Sequence, residues 1–134
     1  MMDVIAGNTQ VMLSSLVQTL QQIKAGRLKA LGVGGLKRSP TLPEVPTIAE
    51  AGVPGYEAVN WWGIVAPAGT PQSAMDRLYK ELTAILNTED ARKMFEEQGA
   101  EAELRGPTEF GKFIEEETAK WGKVIKEGNI KGEE

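Results

Sequence analysis

The sequence predicts an α/β protein whose first part holds a strand–helix–strand unit and whose second part is mainly helical. Two short apolar segments, Thr9–Leu13 and Leu28–Val33, flank a helical pattern with short connections, which is typical of a parallel sheet. Near Val59 the composition changes from β-branched and glycine-rich to charged and helix-favouring. We therefore predict a domain boundary there, between residues 1–58 and residues 59–134.

The first part begins with Asp3–Ala6, which has the pattern of the last turn of a helix that ends at Gly7. Ser14 and Ser15 then provide an N-cap for a helix that ends near Gly26. The apolar residues of this helix recur at helical spacing, which predicts one buried face; they are Leu16, Leu20 and Ile23.

A proline-rich stretch, residues 37–71, holds six of the seven prolines and predicts an irregular connection. Within it, Thr47 and Glu50 have the spacing of a capping box, so a single helical turn is expected before Gly52. The segment from Tyr56 to Ala66 is rich in aromatic and β-branched residues, which predicts a strand that crosses between domains.

Three helices are predicted in the second part. The first has Thr70 as its N-cap and Pro71 as its first residue, and its apolar stripe predicts one buried face; the stripe is Met75, Leu78, Tyr79, Leu82 and Ile85. Thr88 caps a shorter helix with inward-facing residues Ala91, Met94 and Phe95. A short edge strand is predicted at Ala100–Leu104, and a long helix spans Pro107 to Glu127.

The composition excludes several classes of chemistry. The chain of 134 residues has no histidine and no cysteine, which removes the commonest general base, the thiol nucleophiles and the usual zinc ligands. Glu115, Glu116 and Glu117 are consecutive on a predicted helix, so they point in different directions and are expected to form a solvated face. The formal net charge of −4 argues against nucleic acid as a partner. We expect no enzymatic activity, no metal and no cofactor.

Ser14 and Ser15 leave two interpretations open. They are a plain helix cap, or they are part of an anion site, because a strand that runs into a helix N-terminus presents free amide donors and a positive dipole. Trp61 and Trp62 are also ambiguous. As neighbours on a predicted strand they leave on opposite faces, either packing at a hinge or lining a ligand cleft.

Several segments together resemble the tripartite tricarboxylate transporter solute-binding proteins, also called the Bug receptor family. They are KRSPTLPEVPTIAEAGVPGYE at residues 37–57, WWGIVAPAGTP at 61–71, DVIAGNTQVML at 3–13, IKAGRLKALGV at 23–33 and WGKVIK at 121–126. The resemblance implies the carboxy-terminal part of a two-lobed periplasmic-binding-protein fold of type II-like form. Residues 1–58 would then belong to the second lobe, and residues 59–134 would cross and return to the first.

The resemblance also implies a function. A complete receptor of this family binds a small organic anion, such as a di- or tricarboxylate, and delivers it to a membrane permease. Ser14, Ser15, Trp61 and Trp62 are the residues that would contact the ligand. A periplasmic location is implied, although the sequence as written carries no signal peptide and would stay cytoplasmic. We also keep the alternative of a stand-alone helical interaction protein that self-associates without binding a ligand.

Overall fold

The computed structural model describes residues 1–132 as five helices joined by irregular segments. The helices are α1 (Met2–Ile5), α2 (Leu16–Lys24), α3 (Gln72–Leu86), α4 (Glu89–Glu97) and α5 (Pro107–Glu127). Within these described residues a parallel bridge joins Val33 to Thr47, and the Ala58 amide donates to the Gly34 carbonyl at 2.9 Å. No helix of the described part is long and apolar enough to cross a membrane.

The helices belong to two compact units. The first unit consists of Met1–Thr70 together with Leu86–Ala102, and therefore contains α1, α2 and α4. The second consists of Pro71–Ile85 together with the chain from Glu103 onward, and contains most of α3 and all of α5. The lobes that we predict, residues 1–58 and 59–134, refer to a complete receptor and stay a prediction.

The apolar face of α2 forms the core of the first unit, as its spacing predicts. Leu20 is almost completely buried and packs with Leu42 and Val45 from the proline-rich stretch. Further residues partly buried against this cluster are Leu16, Ile23, Ala30 and Val33. The core thus fastens the proline-rich stretch to one side of α2.

The predicted capping box is present and holds the middle of the proline-rich stretch. The Thr47 amide donates to Glu50 Oε2 at 2.8 Å, and the Glu50 amide donates to Thr47 Oγ1 at 3.0 Å. Arg38 Nε also donates to Glu50 Oε2, at 2.9 Å. The Ala51 amide then closes one turn on the Thr47 carbonyl, and Gly52 follows with a φ of +129°. These bonds lock the turn in place beside the Val33 bridge.

Most helix ends follow the sequence. The first helix ends at Ile5, before Gly7 at a φ of +79°, and Gly26 with a φ of +69° follows α2. The bounds of α5 are those predicted, and the Thr88 hydroxyl accepts from the Ala91 amide at the start of α4. Local signals for helix starts and stops were therefore sufficient at these positions.

The prediction of strands is wrong for the described part of the chain. Within the described residues, none of the four predicted segments forms a strand; they are Thr9–Leu13, Leu28–Val33, Tyr56–Ala66 and Ala100–Leu104. A strand needs a neighbour to complete its ladder of hydrogen bonds, and these segments find almost none among residues 1–132. The exceptions are Val33, through its bridge to Thr47, and Ala58, whose amide donates to the Gly34 carbonyl.

Two predictions for α3 are also wrong. The helix begins at Gln72, and the Pro71 carbonyl accepts hydrogen bonds from the Ala74 and Met75 amides. The Thr70 hydroxyl donates to the Pro67 carbonyl, so it does not cap the helix. Its apolar stripe is not buried: no residue of α3 is, and Leu78, Tyr79 and Ile85 are exposed. Met94 of α4 is likewise exposed rather than inward-facing. Amphipathic spacing indicates which face can be covered, but not whether a covering element is present.

Candidate functional site

Ser14 and Ser15 lie directly before α2, in the first compact unit. Ser15 is the N-cap residue, with φ −72° and ψ 147°, but its side chain makes no capping hydrogen bond. The Ser14 hydroxyl donates to Gln18 Oε1 at 2.9 Å. The predicted position of the cap is confirmed, whereas the hydroxyl group of Ser15 is not used to cap the helix.

At the start of α2 no acidic side chain offsets the positive end of the helix dipole. The first turn of α2 contains no acidic residue, and neither does that of α3, whereas Glu89 and Asp90 occupy the first turn of α4 and Glu109 that of α5. The first amides of a helix have no partner within the helix, and they carry the positive end of its dipole. This arrangement suits a carboxylate or another anion.

Trp61 and Trp62 belong to the same compact unit as the two serines. Trp61 is 40% exposed and Trp62 is 71% exposed, so neither indole is part of the core. Ile64 and Val65, which follow, are exposed as well. The tryptophans are therefore accessible to a ligand or to a partner chain, as the cleft interpretation requires.

Glu117, in the second unit, is not on the solvated face that its position in the acidic run predicts. Its side chain is buried, with the residue 8% exposed, and not part of a solvated face. Lys120 Nζ donates to Glu117 Oε1 at 2.6 Å, and Trp121 Nε1 donates to Glu117 Oε2 at 3.0 Å. The sequence does contain a signal for this cluster. Lys120 and Trp121 follow Glu117 by three and four residues, and side chains at these spacings lie together on a helix.

Neither of two shallow grooves in the first unit is lined by the four predicted ligand residues. One groove, of about 630 Å³, lies at the carboxyl end of α2 and is lined by residues that include Ile23, Leu31 and Glu44. The other, of about 340 Å³, has Lys24, Lys93, Glu96 and Glu97 in its lining. In the described residues no group of three or more acidic side chains is placed to hold a metal ion.

Comparison with known proteins identifies the class to which this fold belongs. The chain aligns with the periplasmic binding protein BugD with a TM-score of 0.75 and 34% identity, over 86% of this chain and 39% of BugD. It aligns equally well with R. palustris Rpa4515 with adipate, with a TM-score of 0.75 and 38% identity, over 83% of this chain and 37% of that protein. The predicted fold class, part of a periplasmic binding protein, is thereby confirmed.

The sequence itself gives the family. Residues 1–130 match the model of the tripartite tricarboxylate transporter family receptor, so the chain belongs to that family. A relative from Pseudomonas sp. (strain P51), the UPF0065 protein in the tcbD-tcbE intergenic region, is 40% identical over 126 residues. Those residues are 93% of this chain and 38% of the relative. The chain thus spans about two fifths of the length of this relative.

Proposed function

We propose that this chain is part of an extracytoplasmic receptor that binds a small organic anion with carboxylate groups. The observation that carries the proposal is the start of α2, where no acidic residue offsets the helix dipole and the Ser15 hydroxyl makes no capping bond. Membership of the tricarboxylate transporter receptor family supports it, as does the adipate in the similar R. palustris protein.

In this proposal the ligand is held and not transformed. One carboxylate accepts hydrogen bonds from the first amides of α2 and from the Ser15 hydroxyl, and the Ser14 hydroxyl joins them when it exchanges its bond to Gln18 Oε1 for one to the ligand. Trp61 and Trp62 supply apolar surface for the carbon chain of the ligand. The complete receptor works in the periplasm and delivers the anion to a membrane permease, and its role is binding without catalysis.

Because this chain spans 38% of the Pseudomonas sp. (strain P51) relative and 37% of the R. palustris protein, we expect it to provide one side of the binding cleft. A ligand on one side keeps much of its surface in water, whereas pockets for small ligands usually bury most of it. Adipate is therefore expected to bind this chain far more weakly than it would bind a complete receptor.

Calorimetric titration with adipate and with its uncharged dimethyl ester tests the proposal. We expect weak binding of adipate, with a dissociation constant of about 1 mM or above, and no binding of the diester. Ser15→Ala should weaken adipate binding, while Ser73→Ala, which removes an exposed serine from the first turn of α3, should not. Micromolar affinity for adipate would contradict the proposal that this chain provides only one side of the cleft. Equal binding of adipate and its dimethyl ester would contradict recognition of the negative charge.

The thermal stability of Ser15→Ala separates the two interpretations of this serine. A capping hydroxyl is worth about 1 kcal/mol. Since Ser15 makes no side-chain cap bond, its replacement by alanine should leave the melting temperature nearly unchanged. A loss of several degrees with unchanged adipate binding would assign Ser15 to capping alone.

The second candidate function is the stand-alone interaction protein that self-associates without a ligand. The exposed apolar face of α3, with Leu78 and Ile85, favours it. Adipate binding at the start of α2 would speak against this candidate.

A further inference from the structure

Thr19 is a buried polar residue of α2 that bonds to the start of its own helix. It is 8% exposed, and its hydroxyl donates to the Ser15 carbonyl oxygen at 3.1 Å. The Gln18 amide donates to the same oxygen, also at 3.1 Å. A carbonyl oxygen has two lone pairs. Two hydrogen bonds therefore hold the Ser15 carbonyl towards the body of the helix.

The direction of this carbonyl fixes the direction of the first amide of α2. The Ser15 carbonyl and the Leu16 N–H belong to one planar trans peptide unit, in which they point in opposite directions. Because the carbonyl points into the helix, the Leu16 N–H points out of its start. Among the described residues no acceptor is bonded to this amide, as is usual for the first amides of a helix.

The next peptide unit of α2 is enclosed from the side of α4. A Cβ atom on Gly99 would be 3.4 Å from the Leu16 carbonyl carbon. Gly99 is itself held by the end of α4, because its amide donates to the Glu96 carbonyl at 2.9 Å. Leu20, which follows on the core face of α2, is 1% exposed, so the core side of this turn is filled. The first turn of α2 therefore has little room to shift.

We propose that Thr19 is a positioning residue for carboxylate binding, whose hydroxyl orients the Leu16 N–H towards the ligand without touching the ligand itself. This inference rests on the proposed function, in which the first amides of α2 bind the carboxylate. A hydrogen bond weakens steeply when its donor points away from the acceptor, and a donor that is oriented before binding lowers the cost of binding. Loss of the Thr19 hydroxyl should therefore weaken binding, although Thr19 lies on the buried side of α2.

Two substitutions separate the hydroxyl of Thr19 from the shape of its side chain. Thr19→Val keeps the shape and removes the hydroxyl, whereas Thr19→Ser keeps the hydroxyl and removes a methyl group. We expect Thr19→Val to raise the dissociation constant for adipate about three- to tenfold, and Thr19→Ser to leave it nearly unchanged. Thr118→Val is the matched control, because the Thr118 hydroxyl makes the same kind of bond in α5, to the Ile114 carbonyl at 2.7 Å.

Residual dipolar couplings of the chain without ligand test the first step, because they report the direction of each backbone N–H bond. In Thr19→Val the coupling of Leu16 should change relative to those of the rest of the first unit. In Thr19→Ser and Thr118→Val it should stay as in the unmodified chain. NMR titration of the same variants with adipate then tests whether the direction of this amide matters for binding.

The proposal is overturned if the Leu16 coupling in Thr19→Val equals that of the unmodified chain, or if Thr19→Val binds adipate as tightly as the unmodified chain. It is also overturned if Thr19→Ser weakens binding as much as Thr19→Val, because side-chain shape would then be the cause. Absence of adipate binding by the unmodified chain would instead contradict the proposed function, and the Leu16 coupling would still decide whether Thr19 orients this amide.

Discussion

Gly99 lies against Leu16 so closely that a Cβ atom on Gly99 would be 2.9 Å from Leu16 Cγ. The same atom would be 3.2 Å from Leu20 Cδ2, and Gly99 has a φ of +73°. Both the space and the backbone conformation therefore require glycine, where the chain leaves α4 and passes the core face of α2.

Gly99→Ala should accordingly destabilise the first unit by about 1–3 kcal/mol. Chemical denaturation measures the loss. Gly111→Ala is the control, because Gly111 lies inside α5 with nothing within 4 Å of its Cβ position. Alanine is the better helix former there, and this change should leave stability equal or higher. Equal effects of the two changes would show that the contact with Leu16 is unimportant.

The Glu50 carboxylate makes the stability of the proline-rich stretch depend on pH. The hydrogen bond from the Thr47 amide, and secondly that from Arg38, hold the pKa of Glu50 below its ordinary value. Because the folded-state pKa is the lower one, the stabilisation is present above the ordinary glutamate pKa of about 4.3 and is lost as the pH falls through the folded value.

Glu50→Gln should therefore lower the melting temperature at pH 7, and the difference from the unmodified protein should shrink towards pH 3. Glu44→Gln, an exposed change in the same stretch, serves as the control for replacing a glutamate by glutamine outside the capping box. If the melting temperature of Glu50→Gln lies below that of the unmodified protein by the same amount from pH 7 to pH 3, the negative charge of Glu50 does not stabilise the fold.

The sequence predicted this capping box because its signals are local: a threonine and a glutamate three residues apart determine the turn. The core face of α2 and the exact span of α5 were predictable for the same reason. The strands were not, because a strand such as Leu28–Val33 depends on a distant neighbour that local pattern cannot supply. For the site, sequence placed Ser15 before α2, whereas the burial of Glu117 depends on packing around α5.

The Glu117 cluster should contribute measurably to the stability of the second unit. Lys120→Met removes a donor from a buried carboxylate, so we expect a loss of about 1–3 kcal/mol in the free energy of unfolding. Lys123→Met is the control: Lys123 and Glu127 form an exposed pair at 3.9 Å, which is worth about 0.5 kcal/mol or less. Losses of similar size for both lysines would argue that burial of Glu117 has no energetic consequence.

The absence of histidine and cysteine leads to a prediction about metals. Purified protein should contain no stoichiometric zinc or iron, and it should show no turnover of carboxylate substrates. Elemental analysis checks the first statement. One zinc or iron atom per chain would require ligands that the described residues do not bring together.

The central claim, that the start of α2 recognises a carboxylate, is tested most directly by amide chemical shifts during a titration with adipate. The account predicts the largest changes at residues 14–18 and at the indole groups of Trp61 and Trp62, with none from the dimethyl ester. Changes confined to other parts of the chain, or none at adipate concentrations of tens of millimolar, would contradict it.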